Sequence, residues 1–222
     1  MAKQIFLDTE TTGLDPKQGH RIIEIAAIEF NNRQPTNRRF HSYINPERDI
    51  DPAAEEVHGL SIDFLQDKPL FKDVVNDFLA FVQNSEVVIH NAPFDVGFIN
   101  AELGRLGLDK FEENTITITD SLKFAKEIRP GQRNSLDALC KAFDIDNSSR
   151  TLHGALLDAQ LLGEVFIGMT RGQEAISIDF VEDDNHQVFK KVDLSKLQVI
   201  QLLPEDIDNH TAYIRKHDLT DW

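Results

Sequence analysis

Two carboxylates spaced one residue apart, Asp8 and Glu10, follow a short apolar run near the start of the chain. The run, residues 5–7, is typical of a buried strand. Because strand side chains alternate between the two faces of a sheet, Asp8 and Glu10 should leave the same face. Neighbouring carboxylates repel each other unless a cation or a proton lies between them. Turn residues 11–13 follow directly, so we expect the pair at an accessible edge, as half of a divalent-metal site.

A third carboxylate, Asp95, comes near the end of another strand-like run. The apolar residues 87–89 are followed by the sequence His-Asn-Ala-Pro-Phe and then by Asp95. Pro93 suits the first turn of a helix, so Asp95 should lie in that turn, close to the carboxyl end of the preceding strand. Taken alone, such an acid is more often a solvated charge or a turn residue than a functional group.

The remaining candidates, His153 and Asp158, lie five positions apart. If both residues were helical, their side chains would point about 140° apart around the helix axis. Gly154 offers another arrangement, in which His153 lies on a loop and Asp158 lies at the beginning of the next helix. Both side chains can then reach one point. Taken alone, His153 could also be a capping or exposed histidine.

Four acids and a histidine from three separated segments indicate phosphoryl-transfer chemistry. Mg²⁺ takes oxygen ligands and is held by a few carboxylates together with substrate phosphate oxygens. Two such ions, about 3.5–4 Å apart, can stabilise the attacking and leaving oxygens of a phosphoryl displacement. A histidine can take the proton of the attacking water at neutral pH. Structural zinc is not expected, because the chain has no cysteine cluster and no histidine-rich set. The single cysteine, Cys140, lies in an apolar series typical of a core.

The order of these motifs resembles the DEDDh 3′→5′ exonuclease superfamily of the ribonuclease H-like fold. More narrowly, it is similar to the family of proofreading (epsilon) subunits of bacterial DNA polymerase III. The resemblance covers residues 3 to about 170, roughly three quarters of the chain. The matching stretches are LDTETTGL (7–14), VHGLS (57–61), VIHNAPFDVGF (88–98), TDSL (119–122), RNSLDALC (133–140) and TLHGALLDAQLL (151–162).

The resemblance implies a role for each candidate residue. Asp8, Glu10 and Asp158 would bind the first of two divalent ions, Mg²⁺ or Mn²⁺, and Asp8 would bridge to the second. Asp95 would complete the site through water, and His153 would be the general base. The implied reaction is stepwise 3′→5′ hydrolysis of a DNA 3′ end, which releases nucleoside 5′-monophosphates.

The resemblance also implies contacts to the substrate. His58 would approach the terminal nucleotide, and the turn from Thr9 to Leu14 would lie beside its base and sugar. A structural interpretation of His58 is equally open, because a histidine before Gly59 at a helix C-terminus is favoured by the helix dipole. The residues expected to contact the substrate are therefore Asp8, Glu10, His58, Asp158, Thr9 and Leu14.

The pattern of elements predicts an α/β fold with a mixed sheet and helices on both faces. An antiparallel meander should come first, with a polar turn at residues 31–37 between its second and third strands. The predicted strands are 4–9, 21–30, 38–45, 86–90 and 115–119. The predicted helices are 52–57, 71–83, 94–106, 120–127, 134–143 and 155–170. This is compatible with the ribonuclease H-like architecture, which the resemblance itself supplies.

The formal net charge of −15 argues against tight, independent binding to long DNA. It does not oppose metal-assisted capture of a single 3′ end, because divalent ions cancel the local acids. Some basic residues do recur near plausible substrate paths, although a solvated face explains them as well. These residues are Lys123, Lys126, Arg129, Arg133 and Arg150. One cysteine, the lack of a secretory signal and the lack of a long apolar run predict a cytoplasmic protein without a membrane partner.

The chain after about residue 172 has a different pattern. Gln173, Ile176 and Phe180 resemble the short glutamine-plus-apolar peptides that bind the sliding clamp, and an extended segment with a few buried apolar residues explains them equally well. Residues 196–204 and the helical pattern after them resemble the region of epsilon subunits that binds the polymerase (alpha) subunit. The long glutamine-rich linker usual in that family is missing. The predicted division is an exonuclease domain at 1–172, a linker at 173–185 and a partner-binding segment at 186–222.

Two other functions use the same fold. A DEDDh exoribonuclease that trims RNA 3′ ends would need the same acids, so the site does not separate the two. The C-terminal segment favours DNA proofreading, because a free-standing RNA trimmer needs no polymerase. The third interpretation is a catalytically idle scaffold, and the complete set of metal-binding residues argues against it.

Overall fold

A five-stranded mixed sheet forms the centre of the protein in the computed structural model, which describes residues 3–171 except Ser149 and Thr151. The strand order is β3-β2-β1-β4-β5. β1 pairs antiparallel with β2, and β2 pairs antiparallel with β3. β4 runs parallel to both β1 and β5. The strands are β1 (Gln4–Thr11), β2 (Ile22–Asn31), β3 (Gln34–Tyr43), β4 (Glu86–Ile89) and β5 (Thr117–Asp120).

The predicted combination of an antiparallel meander with parallel strands is therefore confirmed, as are helices on both faces. The α-helices of the described part are α1 (Pro52–His58), α2 (Ile62–Leu65), α3 (Phe71–Val82), α4 (Ala92–Arg105), α5 (Ser121–Ile128), α6 (Leu136–Ala142) and α7 (Ala155–Thr170). α3 and α4 pack on one face of the sheet, and α5, α6 and α7 pack on the other. The buried Cys140 belongs to the second of these two cores.

The alternation of side chains along β1 decides which face carries the acids. Ile5 and Leu7 pack toward α3 and α4, whereas Phe6 belongs to the core beneath α7. The Phe6 ring lies 4.6 Å from that of Phe30 and 5.7 Å from that of Phe166 in α7, measured between centroids. Asp8 and Glu10 follow Phe6 on the same face, so they point to the side on which α7 packs.

The turn between β2 and β3 differs from the prediction. It consists of Asn32 and Arg33, with φ values of 50° and 63°, and not of residues 31–37. β3 therefore begins at Gln34. The polarity of its first residues has another cause: β3 is an edge strand, and these side chains are exposed to solvent.

Other boundaries differ by a few residues from those predicted. β1 continues through Thr11, and α4 begins at Ala92 because its N-cap, Asn91, takes a left-handed conformation with φ of 69°. The four-residue helix α2 is not predicted from the sequence. Within the described residues, no helix is long and apolar enough to cross a membrane. The predictions for residues 173–222 fall outside the described part of the chain.

Candidate active site

β1 brings the first two carboxylates to the edge of the sheet. Asp8 is partly exposed, whereas Glu10 retains only 9% of its exposure. Between them, Thr9 points to the opposite face, where its hydroxyl donates a 2.7 Å hydrogen bond to Oδ1 of Asp95. Strand alternation thus lets one short segment supply two carboxylates and also hold a third.

α4 places Asp95 in its first turn, as the sequence predicts. The helix begins directly after β4, which runs parallel to β1, so Asp95 lies beside the carboxyl end of β1. Asp95 is buried, with 3% exposure. Its bond from Thr9 and the helix N-terminus nearby both favour the charged carboxylate.

His153 and Asp158 approach each other because α7 begins between them. Gly154 is the N-cap, so His153 lies on the loop and Asp158 lies in the first turn. The backbone N–H of His153 donates to the carbonyl of Val57 at 3.1 Å, which fixes this loop to the end of α1. Ligand atoms of Glu10, His153 and Asp158 all lie within 4.8 Å of one another. The separation of the two carboxylates suits a shared cation, with the imidazole of His153 beside it.

All five predicted residues line a single cleft of about 680 Å³. The volume falls within the range of about 300–1,000 Å³ common for small-ligand sites. The other lining residues include polar groups and a few apolar ones, namely Thr9, Leu14, His90, Asn91, Phe94, Leu122, Lys126, Gln132, Asn134, Ser135, Leu136, Asp137 and Arg150. The cleft therefore combines a cluster of acids with an amphipathic wall.

Three acids of the cleft, Asp8, Glu10 and Asp95, hold protons more tightly than free carboxylates do. Burial and then the charges of Asp158 and Glu24 raise the pKa of Glu10 to about 8. Burial also raises the pKa of Asp95 to about 7, against the opposing effect of the hydrogen bond from Thr9. For Asp8, burial and the charges of Asp95 and Glu10 raise the pKa well above its usual value. Such shifts indicate a site built for additional positive charge.

Arg150 supplies part of that charge. Its Nε and Nη2 donate to the two carboxylate oxygens of Asp158 at 2.5 and 2.7 Å, and Nη1 donates to Asp137 at 2.6 Å. Burial lowers the pKa of Arg150, but these hydrogen bonds and charges outweigh it and hold the pKa above its usual value. The arginine is therefore a fixed cation within the acid cluster.

Arg150 also determines which nitrogen of the neutral His153 ring carries the proton. Its Nη2 lies 3.0 Å from Nδ1 of His153, which itself lies 3.6 Å from Oδ2 of Asp158. Because a guanidinium can only donate, Nδ1 of the histidine accepts this bond, and in the neutral ring Nε2 carries the proton. The imidazole is half exposed and borders the cleft.

The turn after β1 forms one rim of the cleft. Thr11 Oγ1 donates to the Gly13 carbonyl at 2.7 Å, and Thr12 Oγ1 lies 3.1 Å from Nδ1 of the buried His20. A Cβ atom at Gly13 would lie 2.3 Å from the His20 ring, so this position requires glycine. Leu14 projects from the turn with 84% exposure, which is unusual for a large apolar residue and leaves it available for contact.

His58 lies at the end of α1 and is buried, with 5% exposure. Its Nδ1 accepts the backbone N–H of Leu60 at 3.0 Å, and among the described residues Nε2 has no partner. Burial lowers the pKa of His58, so the neutral ring is favoured. A neutral ring interacts only weakly with the helix dipole.

Two acids near the site lie outside the sequence prediction. Asp137 binds Arg150, and Glu24 of β2 lies opposite Glu10. A charged residue within the apolar run IIEIAAIEF was a signal that could have indicated Glu24. Among the basic candidates, Lys126 and Arg150 line the cleft, whereas Arg129 donates to Asn134 and Gln132.

The sequence model of a family described as Exonuclease (RNase_T) matches residues 5–166. This stretch includes every acid of the cleft and His153. Relatives that are subunits epsilon of DNA polymerase III match 96% of the chain. The chain therefore belongs to this exonuclease family, together with the epsilon subunits of DNA polymerase III. Exonucleases of the DEDDh type generally use divalent metal ions.

The DNA polymerase III subunit epsilon of Rickettsia prowazekii (strain Madrid E) is 49% identical over 221 residues, which cover 96% of both chains. The subunit epsilon of Escherichia coli (strain K12) is 45% identical over 223 residues, covering 96% of this chain and 92% of the relative. Among solved structures, Exonuclease X in complex with 5′ overhanging duplex DNA is 26% identical, with a TM-score of 0.59 over 77% of this chain and 92% of that one. The nuclease domain of 3′hExo, described as a DEDDh family member bound to rAMP, is similar in fold, with 17% identity and a TM-score of 0.64 over 77% and 92% of the two chains.

Proposed function

We propose that this protein is the 3′→5′ proofreading exonuclease of a DNA polymerase III, and that it removes mismatched nucleotides from DNA 3′ ends as nucleoside 5′-monophosphates. The observation that carries the proposal is the meeting of five side chains from three remote segments in one cleft. The polymerase is inferred from the relatives, which are named DNA polymerase III subunit epsilon and match this chain along nearly their whole length.

The carboxylates would hold two divalent ions, Mg²⁺ or Mn²⁺. Glu10 and Asp158 would bind the first ion together with Asp8, and Asp8 would bridge to the second, with Asp95 acting through water. Bound there, the ions would supply positive charge that stabilises the charge developing on the scissile phosphate. The raised pKa values of Glu10 and Asp95 support this assignment, because buried like charges need such compensation.

His153 would take the proton of the attacking water. For this role an unprotonated ring nitrogen must face the cleft. In the structure Nδ1 accepts the hydrogen bond from Arg150, so the proton of the neutral ring lies on Nε2. Asp158 would exchange Arg150 for a metal ion when the site is loaded. The guanidinium would then leave His153 as well, so that the imidazole could change tautomer and act as a base.

The rim of the cleft would bind the terminal nucleotide. Leu14 is exposed enough to contact the base, and the buried Nε2–H of His58 would donate a hydrogen bond to the sugar or phosphate. Thr9 would act on the substrate chiefly through Asp95, to which its hydroxyl is already bonded.

The C-terminal segment would hold the nuclease on its polymerase. Residues 186–222 would bind the alpha subunit, and Gln173, Ile176 and Phe180 would be a weak sliding-clamp contact. Tethering raises the local concentration to the mM range, so the acidic nuclease needs little DNA affinity of its own. Deletion of residues 181–222 should abolish co-elution with the polymerase subunit while nuclease activity on free primers remains. Intact co-elution would contradict this part of the proposal.

Activity is tested with a labelled primer carrying a 3′-terminal mismatch, in Mg²⁺ or Mn²⁺. We expect stepwise release of mononucleotides from the 3′ end. Asp8→Ala should reduce the rate by at least about 100-fold. The control Asp109→Ala, which changes an exposed acid outside the cleft, should leave the rate unchanged. No release, or equal release from Asp8→Ala, would refute the proposal, and a strong preference for RNA of the same sequence would favour the exoribonuclease.

A further inference from the structure

Glu24 is a buried acid directly beside the site. It lies opposite Glu10 in the antiparallel pair of β1 and β2, and it retains 3% of its exposure. Residues opposite each other in such a pair project from the same face of the sheet. Glu24 therefore points toward α7, as Glu10 does. A second carboxylate here adds repulsion to an already acidic cluster, so its presence requires a compensating contact.

Both oxygens of Glu24 have specific donors. Nε2 of His41, on the neighbouring strand β3, lies 2.7 Å from Oε1. The backbone N–H of Ala155 donates to Oε2 at 3.2 Å. An ionised carboxylate only accepts hydrogen bonds, so Nε2 of His41 carries the proton. With both oxygens engaged in this way, Glu24 is not arranged as a further metal ligand.

The contact with Ala155 reaches the first residue of α7. The N-cap of this helix, Gly154, has no side chain that could accept a hydrogen bond from the first turn. Glu24 of β2 supplies the missing hydrogen-bond acceptor, and its charge also suits the positive end of the helix dipole. The side chains of their own N-cap residues cap α2, α5 and α6, whereas the start of α7 is bound directly to the sheet.

This bond lies between the two functional residues of the α7 segment. His153 precedes Ala155 by two positions, and Asp158 follows it by three. We infer that Glu24 is a positioning residue that fixes the start of α7, and with it His153 and Asp158, against the strand that carries Asp8 and Glu10. His41 holds the Glu24 carboxylate in place. The inference rests on the proposed function, because it explains how the metal-binding geometry is kept.

Mn²⁺ affinity, measured by calorimetry on the full-length protein, tests the inference. Glu24→Ala should weaken the affinity at least about tenfold, the usual effect of removing a partner behind metal ligands. It should also lower kcat while KM for the primer changes less than about threefold. Glu24→Gln should remain within about threefold of wild type, because an amide oxygen can accept from Ala155 and His41 can change tautomer.

Two further variants separate positioning from stability. Glu102 is equally buried at 3% and is paired with Arg21 away from the cleft, so Glu102→Ala should lower stability without changing Mn²⁺ affinity. Gly154→Ser, combined with Glu24→Ala, supplies a local cap where a Cβ atom has nothing within 4 Å. This double variant should recover thermal stability but not metal affinity.

Wild-type Mn²⁺ affinity in Glu24→Ala, equal weakening in Glu102→Ala, or full recovery of affinity by Gly154→Ser would overturn the positioning role. If the wild-type protein binds no Mn²⁺ and cleaves no primer, the proposed function itself fails, and the Glu24 variants are not the cause.

Discussion

Binding of a divalent ion to this cleft should release protons at neutral pH. With a pKa of about 8, Glu10 is about 0.9 protonated at pH 7, and Asp95, with a pKa of about 7, is about half protonated. Carboxylates that hold a metal ion, directly or through a bound water, are ionised, so loading should displace about 1.4 protons from these two groups. Asp8, whose pKa is also raised, adds to this number.

The release should make metal affinity depend steeply on pH. Each proton displaced makes the apparent affinity rise about tenfold per pH unit. Averaged between pH 6.5 and 7.5, the release from Glu10 and Asp95 is about 1.4 protons, so the apparent Kd for Mn²⁺ should fall about 25-fold across this interval. Above pH 9 both groups are ionised, and their contribution should disappear.

Calorimetric titration with Mn²⁺ in two buffers of different ionisation enthalpy measures the proton count directly. At pH 7 the heats should differ by the count multiplied by the difference between the two buffer enthalpies. Glu102→Gln, outside the cleft, should leave the count unchanged. Identical heats in the two buffers would show that the carboxylates are already ionised in the metal-free protein, and the electrostatic description of the cleft would then be wrong.

Three other predictions follow from the same geometry. The metal-free protein retains protons that its unfolded chain loses between about pH 4.5 and 8. Its free energy of unfolding should therefore fall with rising pH by up to about 1.4 kcal/mol per pH unit for each proton. Chemical denaturation should show a weaker dependence of this free energy on pH for Glu10→Gln, and an equal dependence would contradict the raised pKa. His153→Gln should lower kcat by at least about 100-fold while Mn²⁺ affinity stays within about threefold, and a pH profile unchanged from wild type would exclude it as the base. Gly13→Ala should destabilise the protein by about 1–3 kcal/mol and raise KM. Gly163→Ala, whose Cβ would meet Phe30 in the core, should destabilise the protein with KM unchanged. An equal rise in KM for both variants would show that the rim of the cleft is not specifically involved in substrate binding.

The sequence predicts those features that depend on local periodicity. Strand alternation places Asp8 and Glu10 on one face with Phe6, and the glycine before Ala155 separates the His153 loop from α7. The mixed sheet follows from the order of strands and helices. These properties follow from the repeat of two residues in a strand and of 3.6 residues in a helix, so a single sequence is enough to predict them.

Pairings between remote segments could not be predicted in this way. The sequence places Arg150 near a substrate path, whereas in the structure it binds Asp158 and Asp137. Which acid an arginine meets depends on tertiary packing and not on a local repeat. The polar residues at the start of β3 do not reveal a strand for a similar reason, since an edge strand and a loop both expose polar side chains.

The acidity of this protein and its proposed action on DNA are reconciled by where the positive charge is placed. The net charge of −15 repels a polyanion at long range, whereas the cleft requires cations at short range. Arg150 meets that requirement beside Asp158, and His41 donates to the outer carboxylate, Glu24. Divalent ions would take the place of Arg150 at Asp158, whereas His41 would remain on Glu24. Under the proposed function, a nuclease built in this way would bind a 3′ end through its metals, and its hold on DNA would depend on the polymerase that presents the end.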